Sequence, residues 1–220
     1  PAALQLIRGG RPEFLALLAQ VISEGQTEFG CDVTQELMLE AQREDVADAL
    51  RDCLSSKPVG GLGRLCLAMA LRGGSGALEG IEIAQPPHDA GDAELVAAHH
   101  ALRSMEQSAE DVEWLKTSLR GGSDRERYCA ASYLGLARVQ SALPVFASVS
   151  DQETSWDLRS LCAGMLVRRG HRQGVVWFVK NAKASTGPDT ARAAVEFGRA
   201  VEDMIPLMLE CRDVNLGRFV

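Results

Sequence analysis

The sequence predicts an all-α protein: a right-handed α-solenoid of about six to seven stacked helical hairpins with a period near 32 residues. Three observations carry that expectation. Alternating runs of Val, Ile, Thr or aromatic residues are absent, and aromatics make up only 5% of the 220 residues. The apolar residues recur mostly at spacings of three and four, as an amphipathic helix requires. The chain is also self-similar, and a fixed period of 20 to 50 residues is the mark of a repeat architecture.

The repeat is clearest in the segment Asp124 to Phe146. Leu134 is its anchor, with the small pair Ala130-Ala131 one turn earlier. Comparable anchors stand at Leu71, Leu102, Leu166 and Phe197, giving successive separations of 31, 32, 32 and 31 residues. The preceding turns read Leu67-Ala68, Ala98-His99, Cys162-Ala163 and Ala193-Ala194. Small residues there let two helices approach closely. After each anchor comes a turn and a second apolar stripe: Val112 and Leu115, Leu143 and Phe146, Val176 and Val179, Ile205 and Leu209. Each unit is therefore a hairpin, and because two short amphipathic helices cannot bury their own faces, such hairpins stack.

Punctuation supports the same division. Gly9-Gly10, Gly60-Gly61, Gly73-Gly74, Pro86-Pro87, Gly121-Gly122, Gly170 and Gly187-Pro188 are expected to end or separate helices. Toward the amino terminus, Ile7 and the FLALLAQVI stripe fit the period, but Leu39 would follow Gln35-Glu36, poor core residues. Residues 1–58 are thus expected to hold less regular repeats and 60–220 well-formed ones, with 83–94 a longer connecting loop. No compositional break demands a second domain, so 1–220 reads as a single domain.

Further details resemble a known family. An arginine stands seven residues before three anchors (Arg64, Arg127, Arg159), an acid just before two of these (Asp124, Asp157), and a proline early in two second helices (Pro144, Pro206). With the period, these look like HEAT repeats, in particular the short bacterial type also found in phycobilin lyases. The resemblance runs from about Gly60 to Val214 and is weak before it. Leu95 and Thr190 replace the arginine in two units, although Arg192 follows the second. The resemblance implies an aspartate and arginine ladder between neighbouring repeats, making Asp124, Arg127, Asp157 and Arg159 structural. An inward arginine in any case needs acceptors to offset its desolvation.

Composition bounds the rest. With 46% hydrophobic and 24% charged residues, and no run near the roughly 18 apolar residues of a membrane span, the chain reads as an ordinary soluble protein. Pro1 is not preceded by Met and no signal pattern follows, which suggests a trimmed or excised chain. The six cysteines include no CxxC pair and fall in periodic apolar segments, so they read as reduced core residues of a cytoplasmic protein. Residues 1–110 hold 17 acids and 8 bases, net -9, whereas 111–220 hold 13 acids and 15 bases, net +2. Nucleic-acid binding, which phosphate contacts dominate, is disfavoured. The single basic cluster is Arg168, Arg169 and Arg172, followed by Lys180 and Lys183.

Motifs for chemistry are missing. His99 and His100 are adjacent and so point about 100 degrees apart on a helix; with no HxxxH or HExxH, no metal site is expected. His99 takes a place that neighbouring units give to small residues and reads as an interhelical, hydrogen-bonded residue. His88 and His171 fall in loops. No GxSxG is present, and VGGLGR and LRGGSG lack both a GK[ST] ending and a preceding strand, so they read as interhelical turns. Glu36, Glu40, Glu44, Asp45, Asp48 and Asp52 form an acidic face that could suit a basic partner or simply be solvated.

The expected function is that of a noncatalytic scaffold or adaptor binding a protein or peptide on its concave or ridge surface, without a cofactor. Trp114 falls off its core stripe beside Asp111, Glu110 and Thr117, and Trp177 off its own beside Gln173, Lys180 and Asn181. Aromatic anchors rimmed by polar groups are typical binding hot spots. A phycobilin-lyase-like enzyme or cofactor-handling protein is the alternative that the resemblance suggests. A HEAT-like DNA-binding or repair protein is a further one, on which only the basic cluster Arg168, Arg169 and Arg172 bears.

Overall fold

The computed structural model describes residues 5, 7, 9, 11, 14–24, 30–56, 61–75, 92–106 and 108–181. Among them it is all-helical, with ten α-helices packed largely as neighbouring pairs, in the manner of stacked hairpins. In chain order these are α1 (Leu15–Ser23), α2 (Gly30–Glu40), α3 (Glu44–Ser56), α4 (Gly61–Ser75), α5 (Ala93–Met105), α6 (Ala109–Gly121), α7 (Asp124–Leu136), α8 (Leu143–Gln152), α9 (Trp156–Arg168) and α10 (Arg172–Asn181). A short 3-10 turn, Gln140–Ala142, precedes α8. The chain, for which the sequence offers no compositional break, divides into two compact units, Pro1–Val139 and Gln140–Val220.

In the first unit α4 is central and packs against α1, α2, α3 and α5. That position explains its composition, since Leu62, Gly63 and every residue from Leu65 to Leu71 are buried. The helix also runs straight through Gly73-Gly74, where the sequence suggested an interhelical turn. Both glycines lie under α2: a Cβ on Gly74 would stand 2.5 Å from that of Ala41, and one on Gly73 would collide with Met38. They serve close helix contact rather than chain reversal. α5 then packs on α6 and α7, and α6 on α7.

The second unit is the sequential arrangement α8, α9, α10, with α9 packed on both neighbours. Its turns follow from local chemistry. Ser155 caps α9 with its hydroxyl. At the other end Gly170, at φ +69, closes a Schellman motif in which His171 N–H reaches Leu166 C=O (2.9 Å) and Gly170 N–H reaches Val167 C=O (2.8 Å). In the first unit α7 is opened by a Ser123/Glu126 capping box. α5 is opened by Asp92, whose side chain accepts Glu94 N–H at 3.0 Å. Ala93 and Glu94 are therefore helical, not the end of a loop; residues 83–91 lie outside the described residues.

The repeat anchors sit where the period puts them: Leu71, Leu102, Leu134 and Leu166 are all buried, as are the residues of the turns before them. Leu39 is 51% exposed, so the segment around it does not keep the period, as its Gln35-Glu36 suggests. The second-helix stripes are rotated from expectation. Val112, Leu143 and Val176 are only half-buried, whereas Asp111, Leu115 and Leu119 face the core on α6 and Val175, Trp177 and Phe178 on α10. Leu115 and Phe146 keep their expected core places. Phe197, Ala193-Ala194, Thr190, Arg192, Ile205, Pro206, Leu209, Lys183, His88, Pro86-Pro87 and Gly187-Pro188 lie outside the described residues.

The periodic arginines find backbone acceptors. Arg64 donates to Leu54 C=O (2.8 Å), Arg127 Nε to Leu119 C=O (3.2 Å) and Arg159 Nε to Ser150 C=O (2.9 Å). Each acceptor lies in the last turn of the preceding helix, where carbonyls lack intrahelical donors. At each of these three places an arginine caps the helix before it and puts positive charge at that helix's negative end. Asp124 is 98% exposed and pairs with Arg127 at 3.9 Å. Asp157 stands in the first turn of α9, an end that favours a carboxylate.

Candidate functional site

The two tryptophans singled out in the sequence have different surroundings. Trp177 is 3% exposed; its indole N–H donates to Ser150 C=O at 2.7 Å, the same carbonyl that Arg159 caps. The Arg159 guanidinium lies 5.6 Å from the ring centres of both Trp156 and Trp177, and the two rings are 5.2 Å apart. This is a core assembly, not an exposed anchor. Its cause is Gly174: a Cβ there would stand 2.5 Å from Ala163 C=O, so α10 settles onto α9 and turns Trp177 inward.

The polar residues expected around Trp177 disperse accordingly. Gln173 donates to Asp151 at 2.9 Å on the surface, Asn181 Nδ2 donates to Trp177 C=O at 2.8 Å, and Lys180 is exposed. Arg168 and Arg169 are half-buried at the end of α9 and Arg172 is exposed at the start of α10. Cations suit the first two places because the carboxyl end of a helix carries partial negative charge.

Trp114 belongs to a different cluster, at the turn end of the α5–α6 hairpin. It is half-buried and stacks on His100, with ring centres 3.9 Å apart and planes 15° from parallel. Behind the stack sits the buried carboxylate of Asp111. One oxygen accepts from His100 Nδ1 at 2.6 Å; the other accepts from Arg103 Nε at 3.0 Å and from the Ser108 hydroxyl. Ser108 is also the cap of α6, accepting Asp111 N–H at 3.4 Å. Burial opposes ionisation of Asp111, but the hydrogen bonds from Ser108 and His100 and the Arg103 charge outweigh it and hold the carboxyl below its ordinary range.

The consequences for the surface are direct. The Asp111 carboxylate accepts the Nδ1–H of His100 and so fixes the orientation of the ring. The His100 plane in turn fixes Trp114, and Arg103, with 44% of its side chain exposed, borders the pair. His99 is buried beside them, 5.7 Å edge-on to His100; burial first, then the proximity of His100 and Arg103, push its pKa down. The result is a half-buried pair of stacked rings with one cation beside it, each held by a named neighbour. An aspartate and histidine pair is half of a nucleophile-activating set; the Ser108 hydroxyl bonds to Asp111.

Sequence reasoning placed Trp114 and Asp111 in this site but not His100, Arg103 or Ser108. The signal was available. Residues nearly equidistant from the turn of an antiparallel hairpin meet, as Arg103 meets Asp111 and His100 meets Trp114, and Ser108 has the N-cap spacing to Asp111. The acidic face on α2 and α3 is partly neutralised from within, since Arg43 pairs with Glu40 (3.6 Å) and Asp45 (2.7 Å), and Arg51 with Asp48.

Among the described residues, no group of three or more His, Cys, Asp or Glu could hold a metal ion, and no helix is long and apolar enough to cross a membrane. No protein family, curated protein or solved structure matches the chain.

Proposed function

We propose that the chain is a noncatalytic scaffold of HEAT-like helical hairpins that binds a protein or peptide at the turn end of the α5–α6 hairpin. The observation that carries this reading is the Trp114 and His100 stack, half-exposed and buttressed from behind by a fully engaged Asp111. A large aromatic surface held in one orientation loses little entropy on binding, and tryptophan and arginine together dominate binding hot spots. The repeat period, the buried anchors and the arginine caps support the HEAT-like architecture. The charge of the first half of the chain, net -9 over residues 1–110, favours a partner of basic character.

The test is capture of partners from the source organism's lysate on wild-type protein and on Trp114→Ala, with Gln173→Ala as a surface control. A stoichiometric basic protein retained by wild type and Gln173→Ala, and lost with Trp114→Ala, supports the reading. A copurified coloured or ultraviolet-absorbing ligand would favour the lyase-like alternative. Salt-sensitive retention of duplex DNA would favour the nucleic-acid alternative.

A further inference from the structure

A second polar cluster lies within the first unit, where α2 meets α4, α5 and α7. Glu94, from the first turn of α5, is 4% exposed and accepts a hydrogen bond from the Tyr133 hydroxyl on α7 at 2.9 Å. Its lid is the backbone of Gly30, the first residue of α2: a Cβ there would stand 2.7 Å from Glu94 Oε1 and 3.3 Å from the Tyr133 hydroxyl. Gly30 C=O is held from below, accepting from Thr34 Oγ1 at 2.7 Å and from Cys66 Sγ at 3.9 Å. Cys66 itself is fully buried beneath this seat.

The surrounding charges do little to stabilise an ionised Glu94. Arg125 on α7 is shared with Asp92, the cap of α5, at 3.7 Å, and both are largely exposed. Thiols face the cluster from α2 (Cys31), α4 (Cys66) and α7 (Cys129). On α6, Asp111 and Lys116 are engaged with His100 and Glu113. Burial raises the Glu94 carboxyl to about 7, with the Tyr133 hydrogen bond opposing the rise only in part.

The two ends of α2 are seated by unlike means. At its carboxyl end Met38 and Ala41 rest on Gly73 and Gly74 through apolar contact, which no proton affects. At its amino end the seat is the Glu94 carboxyl. We propose that Glu94 is a proton-controlled latch for α2: protonated, it lets the Gly30 end close over Tyr133 and Cys66; ionised, it admits water by letting that end lift while the Met38 end stays down. The linkage sign agrees. A carboxyl raised in the closed state stabilises closure fully below its unfolded pKa, and that stabilisation is lost as pH rises through about 7.

Cys66 reports the latch, because it is fully buried with its thiol against Gly30 C=O, and lifting of the Gly30 end would uncover it. The experiment is modification by 4,4′-dithiodipyridine, with the rate at Cys66 measured by mass spectrometry relative to buried Cys162 of the second unit in the same molecule. The ratio cancels the common pH dependence of thiolate chemistry. From pH 5 to pH 8 it should rise by at least about tenfold in wild type and level off above that, the direction and scale of a carboxyl shifted by more than one unit. In Glu94→Gln, which keeps the shape without the charge, it should stay flat. A flat ratio in wild type, or an equal rise in Glu94→Gln, overturns the proposal. If the variant fails to fold, the wild-type profile alone decides.

Discussion

Trp114 and Trp177 occupy nearly the same place in their hairpins, twelve and eleven residues after the anchors Leu102 and Leu166. One is half-buried against a histidine and the other is core. The difference lies in what stands one turn before each ring. On α10 that residue is Gly174, whose missing side chain draws the helix onto Ala163 C=O. On α6 it is the stretch around Glu110 and Asp111, and a carboxylate needing three donors turns its own side inward, leaving Trp114 beside the core rather than in it. A repeat therefore fixes where a residue sits along a helix, while small and charged neighbours fix which way it faces.

Substitutions should separate the two hairpins, and the largest effect falls on the second unit. Trp177→Ala removes a buried indole, its hydrogen bond to Ser150 C=O and its contact with Arg159, and should cost about 3–5 kcal/mol, read by chemical denaturation. Trp114→Ala removes a ring already half in water and should cost about 1–2 kcal/mol on the same scale. Equal losses at the two positions would erase the distinction.

Asp111→Asn comes next. It keeps the shape but weakens the acceptor for His100, Arg103 and Ser108, at a cost of roughly 1–3 kcal/mol. Its pH dependence is opposite to that of Glu94. Asp111 is lowered on folding, so its stabilisation is present above the ordinary carboxyl range and lost as pH falls through its folded value. Thermal melts of Asp111→Asn and wild type should therefore converge in acid, whereas Glu94→Gln and wild type should diverge as pH rises from the ordinary carboxyl range to about 7 and keep a constant gap above it.

The smallest effect concerns two helix ends. α9 ends through Gly170 at φ +69, and α7 ends with Arg138 at φ +57, a left-handed conformation that costs a non-glycine residue energy. Arg138→Gly should be neutral or stabilising by up to about 1 kcal/mol, and Gly170→Ala destabilising by a similar amount. Both are measurable as shifts in thermal midpoint.

Much of this fold is legible in the sequence because its helices pack largely on their neighbours along the chain. Helix period, anchors and the small residues before them are local properties, and Leu71, Leu102, Leu134 and Leu166 are buried as their spacing implies. Gly73-Gly74 shows what local reading misses, since glycine marks a turn and a close helix contact alike, and only Met38 and Ala41 across the interface tell them apart. The Glu94 seat was out of reach for another reason. Tyr133 lies 39 residues from Glu94 and 67 from Cys66, and α2, which closes the cluster, is the segment whose repeat register fails. The candidate site was half legible: Trp114 and Asp111 stood out as an aromatic and an acid off the expected stripe, while their partners on α5 became visible only across the hairpin.

The proposed binding site is the α5–α6 turn and not α10. The most direct test is the dissociation constant of the captured partner for wild type, Trp114→Ala and Gln173→Ala, each shown by circular dichroism to retain its helices. The account predicts that Trp114→Ala weakens binding by at least about tenfold, the scale of a hot-spot truncation, while Gln173→Ala leaves it unchanged. Unchanged affinity in Trp114→Ala, or loss confined to Gln173→Ala, would contradict it.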